Sequence, residues 1–262
     1  MKLAIAGKGG VGKTTLAAAV ARQLAVRGRP VIAVDADPDG NLGAALGVPA
    51  ARSPTPIAQM RDLIRERTGV TEEGAPIFKL NPDVHDLPER FSVDAGGVRL
   101  LVMGTVELGG KGCMCPEGTL LKALLQHVLL RVPDDVILDM EAGLEHMGRA
   151  SARGVDAMIT VVEPGMRSVQ TAERIRQLAT DIGIGRHWVV VNKIRSPQQE
   201  EALRRALGGQ SVLGVLPYYD GLVNADLEGR AVELHDGGLA APIGRIVETL
   251  QERLANQPTA GT

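Results

Sequence analysis

The chain has 262 residues, a formal net charge of −2 and 44% hydrophobic residues, which suits one α/β domain with a substantial core. Aromatic residues make up only 2%, so Ala, Val, Leu, Ile and Met must build that core, and the stacking platforms of single-stranded nucleic-acid binders are lacking. With no apolar run of the ~18 residues a membrane span needs and no long basic run, neither a membrane nor a nucleic-acid partner is expected, and the expected location is cytoplasmic.

In chain order, Lys2 to Ala6 reads as a strand entering a glycine loop directly, which speaks against a removable leader. An Ala-rich helix follows from about Lys13 to Val26, then a strand from Val31 to Val34 that runs into acids. Residues 56 to 67 have a helical pattern, and about 70 to 90 reads as an irregular excursion. Phe91 to Val93 and Val98 to Met103 flank Asp94-Ala95-Gly96-Gly97, a hairpin signal that predicts one antiparallel strand. Further strands are expected at Val136 to Leu138, Ala157 to Val162, Trp188 to Val191 and Val212 to Leu216. Helices are expected at about 117 to 130, 168 to 182, 198 to 206 and 240 to 255. Alternating β and α segments predict a doubly wound, mostly parallel sheet flanked by helices, the P-loop NTPase form of the α/β class. A single domain over 1 to 255 with a disordered tail over 256 to 262 is expected.

Gly7-x4-Gly12-Lys13-Thr14 lies between a strand and a helix, the context that gives a phosphate-loop pattern its force. Gly9, Gly10, Val11 and Gly12 would turn backbone N–H groups onto the phosphates of ATP or ADP, aided by the positive end of the helix. Lys13 would reach the β- and γ-phosphates, the Thr14 hydroxyl would ligate Mg2+, and Thr15 would meet the α-phosphate. Val136-Ile137-Leu138-Asp139 is an apolar strand ending in an acid, the arrangement in which Asp139 holds magnesium through water. Asp35, Asp37 and Asp39 crowd the end of the second strand, where three carboxylates would repel one another unless a cation or waters used them. A capped turn is the alternative there.

Cys113-Met114-Cys115 precedes Pro116, a residue suited to the first helical turn, which would set Cys115 at a helix N-terminus with Lys111 nearby and favour thiolate. Two thiolates are too few for a closed tetrahedral site, whereas two chains about a twofold axis supply four. A soft metal shared between subunits is one reading; a pair of buried or idle cysteines is the other.

Lys8, early in the loop, makes Lys8-Gly9-Gly10-Val11-Gly12-Lys13-Thr14-Thr15 resemble the deviant Walker A sequence of cell-division and plasmid-partition ATPases, the nitrogenase iron protein and metal-cofactor maturation ATPases. That resemblance implies that Lys8 reaches the ATP of a partner subunit, that Asp37 orients the attacking water, and that Asp35 lies near magnesium. It also implies that Gly143, in Met140-Glu141-Ala142-Gly143, approaches the γ-phosphate, and that Asn192 and Pro217 border the adenine. Gly112-Cys113-Met114-Cys115-Pro116-Glu117 and Asp139-Met140-Glu141-Ala142-Gly143-Leu144-Glu145-His146-Met147-Gly148-Arg149 resemble the CooC-type nickel-insertion accessory ATPases of carbon monoxide dehydrogenase. By that resemblance the chain is a homodimer, binds Ni2+ or Zn2+ through Cys113 and Cys115, and serves the apoenzyme of carbon monoxide dehydrogenase. His146 fits a packing or polar role better than a ligand.

Two other readings carry less. An iron-protein-like reductase needs a cysteine after the second acidic strand, and Asp139 to Gly148 contains none. A membrane-positioning or partition ATPase needs a basic amphipathic end, and Glu248-Thr249-Leu250-Gln251-Glu252-Arg253-Leu254 has too little positive charge.

Overall fold

The computed structural model describes residues 1–37, 40–70, 78–104, 115–141, 149–227 and 238–256. Strands β1 (Lys2–Gly7), β2 (Val31–Ala36), β3 (Val93–Asp94), β4 (Val98–Val102), β5 (Asp135–Met140), β6 (Ala157–Val162), β7 (His187–Ile194) and β8 (Val212–Pro217) form one sheet in the order β3-β4-β2-β5-β1-β6-β7-β8. Every neighbouring pair is parallel except β3 with β4. The turn at Asp94 to Gly97 closes as its residues predict, Ala95 N–H donating to the Val98 carbonyl and Gly97 N–H to the Asp94 carboxylate.

The helices are α1 (Lys13–Val26), α2 (Leu42–Ala45), α3 (Arg61–Thr68), α4 (Leu87–Phe91), α5 (Pro116–Leu130), α6 (Arg149–Ala152), α7 (Met166–Ile182), α8 (Pro197–Ala206), α9 (Asp220–Leu227) and α10 (Ala240–Asn256). Alternate strand residues feed opposite faces, as the two-residue period of a strand requires. Leu3, Ile5, Val31 and Ala33 join Leu16, Val20 and Leu24 of α1 and Ile243, Ile246 and Leu250 of α10. Ala4, Ala6, Ile32 and Val34 face Leu63 and Ile64 of α3, Leu120, Leu124 and Val128 of α5, and Ile175 and Ala179 of α7. Each of the larger side chains, wholly removed from water, contributes roughly 1.5–3 kcal/mol. The buried run Ala17-Ala18-Ala19 lets α1 lie close on the sheet behind the glycine loop.

Three readings of the sequence change. Residues 56 to 67 are not one helix: a 3₁₀ turn at Ile57–Gln59 is separated from α3 by Met60, whose ψ of 77° is not helical. Ala58 N–H donates to the Met103 carbonyl, so that turn is tied to the chain leaving β4. Phe91 ends a helix and is not strand, because Pro88 suits a first helical turn and the sheet pairing begins only at Val93. That helix, α4, also gives order to the end of the supposed excursion. The strands β2 and β5 run on through Asp35 and Asp139, so both acids are sheet residues and lie side by side in the register.

The chain passes from β1 through α1 to β2 on one side of β1, while β6, β7 and β8 lie on the other. Such a reversal opens a crevice at the carboxyl ends of the central strands, where doubly wound sheets bind ligands.

Candidate nucleotide and metal site

At the end of β1 the backbone turns where a side chain could not follow. Gly7 has φ +154° and a Cβ there would stand 2.6 Å from the Val161 carbonyl oxygen of β6. Gly12 has φ +95°, and its Cβ would stand 2.4 Å from Nδ2 of Asn192. Between them Val11 is fully buried, plugging the loop into the core, while Gly9 and Gly10 form an exposed tip. The loop then opens α1 with Lys13, Thr14 and Thr15 in its first turn, so successive N–H groups and the helix dipole share one mouth.

Lys13 is buried and its ammonium lies 3.6 Å from the Asp37 carboxylate. Asp35 is wholly buried; its carboxylate accepts from the Leu42 N–H at 3.0 Å and from the Asp37 N–H at 3.3 Å. Burial, partly offset by those two donors, raises the Asp35 pKa to about 6. Asp139, also wholly buried, is raised to about 7 by burial and then by the neighbouring charge of Asp35. Neither Asp139 oxygen meets a hydrogen-bond partner of good geometry. The Thr14 hydroxyl is near enough to favour the charged form but does not satisfy the pair. Two adjacent buried carboxylates, one of them poorly satisfied, form an environment that suits a cation. The residues therefore fit magnesium, with Thr14, Asp139 and Asp35 as the groups that would hold it or its waters.

The expected residues converge in part. Lys13, Thr14, Asp35, Asp37 and Asp139 come together at the ends of β1, β2 and β5. Asn192 is also at the crevice, but its amide is engaged on the loop itself: Nδ2 donates to the Val11 carbonyl at 2.8 Å, and Oδ1 accepts from the Lys193 N–H at 2.9 Å. Pro217 ends β8, exposed, opposite Ile194. Lys8 is half-exposed and lies 3.9 Å from Glu163. Asp39, Lys111, Cys113, Gly143 and His146 lie outside the described residues.

Cys115 occupies the position expected of it. It is the N-cap of α5, with Pro116 at the first helical turn, and its Sγ accepts from the Gly118 N–H at 3.3 Å. The helix end thus directs a backbone donor at the sulfur.

Glu163 and Lys193 went unnoticed as site residues. Glu163 follows β6 and pairs with Lys193 at 2.9 Å, and Lys193 also donates to the Gly10 carbonyl at 2.5 Å. The rule that ligands sit at the carboxyl ends of parallel strands marks both positions, since one follows β6 directly and the other is near the end of β7.

Residues 2–232 match the CobQ/CobB/MinD/ParA nucleotide binding domain family. The chain is 46% identical over 231 residues to the carbon monoxide dehydrogenase accessory protein CooC of Rhodospirillum rubrum, covering 87% of this chain and 88% of that protein. It is 42% identical to an ATP-binding protein of Methanocaldococcus jannaschii over 94% of this chain and 96% of the relative. Among solved structures, MinD in the MinC:MinD cell division complex of Aquifex aeolicus superposes with a TM-score of 0.67 at 21% identity, covering 100% of this chain and 98% of that one. The Mg-ADP complex of the septum site-determining protein MinD from Pyrococcus horikoshii gives 0.63 at 20% identity, covering 99% and 100%. These structural likenesses establish the fold.

Proposed function

The chain belongs to the CooC-type ATPases of the CobQ/CobB/MinD/ParA nucleotide-binding family, and on that footing we propose that it is a dimerising metallochaperone. In this reading it carries nickel, or zinc, between two Cys113/Cys115 pairs and supports nickel insertion into carbon monoxide dehydrogenase. The observation that carries the cargo assignment is Cys115, whose sulfur caps α5 and accepts a backbone N–H. A thiolate stabilised there binds a soft divalent ion well, and a second chain completes a four-sulfur set.

The catalytic steps follow from the chain's own groups. Loop N–H groups and Lys13 bind the β- and γ-phosphates, which compete with Asp37 for the Lys13 ammonium. Asp37, so released, accepts a hydrogen bond from the attacking water and orients it toward the γ-phosphorus. Lys8 of one chain approaches the triphosphate of the other and offsets charge on the transferring group, as a cation supplied in trans does in related phosphoryl transfers. Magnesium, when bound, would neutralise charge on the phosphate oxygens from its place by Thr14 and Asp139. Gly143 is assigned the γ-phosphate contact of the second switch, Thr15 the α-phosphate contact, and Asn192 and Pro217 the border of the adenine pocket. Metal and nucleotide both favour the dimer, so each strengthens binding of the other.

The test is metal analysis of the dimer fraction for the native protein and for C113S/C115S. The expected result is loss of tight nickel and zinc binding with ATP affinity retained. Unchanged metal content in the double variant refutes the shared-thiolate reading.

A further inference from the structure

Beyond the residues that touch ATP, the loop is held from behind by β7. Two of its carbonyls are captured in succession: Gly10 by the Lys193 ammonium and Val11 by the Asn192 amide. In a planar trans peptide the N–H points opposite to the C=O. Drawing these two carbonyls toward β7 therefore turns the N–H groups of Val11 and Gly12 the other way. Val11 N–H stays 3.4 Å from the Lys8 carbonyl, within the loop.

Lys193 is itself held in an unusual state. Among the described residues it is the one non-glycine with positive φ, at 60°, a conformation that L-residues with long side chains seldom adopt. Its own N–H donates to Asn192 Oδ1, and its ammonium donates to Glu163. Glu163 is anchored in turn, its backbone N–H donating to the Ser168 hydroxyl in the first turn of α7. Backbone strain of this kind persists where surrounding contacts over-determine it, and such places cluster at functional sites.

We propose that Lys193 is a positioning residue for the phosphate loop: held by Glu163, its ammonium fixes the Gly10 carbonyl toward β7, so that the turn closed by Val11 N–H on the Lys8 carbonyl keeps the loop in the shape that receives a triphosphate. The ligand class it governs is the polyphosphate, not the base. Its loss acts equally on ATP and on inorganic triphosphate, since both use the same N–H groups. The proposal rests on the ATPase assignment alone and needs neither metal nor a second chain.

The experiment measures the affinity of the full-length protein for ATP and for inorganic triphosphate, with magnesium and without nickel or zinc. K193M is expected to weaken both by a common factor of about ten or more, as loss of a charge-assisted hydrogen bond implies. K193R, which can still donate to the Gly10 carbonyl, is expected to recover most of that loss. K193G relieves the backbone strain without supplying an ammonium; it should bind as weakly as K193M while unfolding at or above the temperature of the native protein. E163A, which removes the anchor but keeps the donor, is expected to weaken both ligands by a smaller factor. Native-like affinity in K193M or K193G overturns the proposal, as does a loss confined to ATP. Failure here leaves the thiolate reading standing, and failure of the thiolate test leaves this one standing, because one is decided by metal content in cysteine variants and the other by polyphosphate affinity in Lys193 variants.

Discussion

At the scale of single residues, the site is marked by two wholly buried acids, Asp35 and Asp139. Asp139 has a folded pKa of about 7 against an ordinary value of 3.8, because burial and the charge of Asp35 both disfavour ionisation. A raised carboxyl pKa means that the folded state holds the proton more tightly than the unfolded one. The stabilisation is complete below about pH 4 and is lost as pH rises through about 7. Without nucleotide or magnesium, Asp139 should therefore contribute on the order of 2–4 kcal/mol less stability at pH 8 than at pH 5. Asp139→Asn should flatten that slope, and magnesium should restore stability to the native chain at pH 8. Urea unfolding at the two pH values checks this; an equal slope in the variant would show that another group titrates. Gly12 acts at the same scale. Its left-handed backbone and the nearness of Asn192 leave no room for even a methyl group, so the loop sequence is constrained by shape as well as by phosphate.

At the scale of elements, each helix is placed by what its packing face can tolerate. The last helix, α10, lies on β8 because Gly214 carries no side chain: a Cβ there would stand 2.3 Å from Cγ1 of Ile246. Ile246 belongs to the same core as Leu213 and Leu216. Gly214→Val is expected to destabilise by about 1–3 kcal/mol through overpacking, and Ile246→Ala in the same chain should recover part of the loss. Thermal unfolding of the single and double variants measures the coupling; strict additivity would mean that the two residues do not press on each other. The helix α5 works by its end instead of its side. Its N-cap is a cysteine where Ser, Thr, Asp or Asn would be ordinary, and its sulfur satisfies a backbone donor.

At the scale of the whole molecule, the sheet order sets the glycine loop, the buried acids and Cys115 at the same end. The glycine loop follows β1, Asp35 and Asp139 are the penultimate residues of β2 and β5, Glu163 follows β6, and Cys115 opens the helix that leads to β5. In the proposed dimer, a partner chain meeting that end would face the glycine loop and Cys115 together, and dimerisation would couple them. Lys8 carries the corresponding prediction. In the native protein, turnover per chain should rise with protein concentration as dimers form. Lys8→Ala should keep ATP affinity within about twofold while losing roughly a hundredfold in turnover, in line with a cation that acts mainly in the transition state. ATPase assays across a concentration series check it, and native turnover in the variant would place catalysis within a single chain.

Much of this was readable without coordinates, because the signals are local. Residues 7 to 15 form a loop and the helix turn after it, whose glycines, lysine and hydroxyls must be contiguous to surround a phosphate, and Asp35 and Asp139 stand where apolar strand runs give way to acid. Pro116 after Cys115 foretold a thiol at a helix start for the same reason, since capping is decided within a few residues. What the sequence left hidden depends on residues far apart along the chain. Lys193 reaches Gly10 across 183 positions and Asn192 reaches Val11 across 181, contacts that exist only once β1, β6 and β7 pair in parallel. The short helix at Leu87–Phe91 and the split at Met60 were likewise settled by packing and by a hydrogen bond from Ala58 to the carbonyl of Met103. By itself the sequence determined that a phosphate loop, its acids and a thiol pair would be present. The tertiary structure decided that side chains of β7 bond to the loop, because hydrogen bonds between residues so far apart along the chain have no signature in their local order.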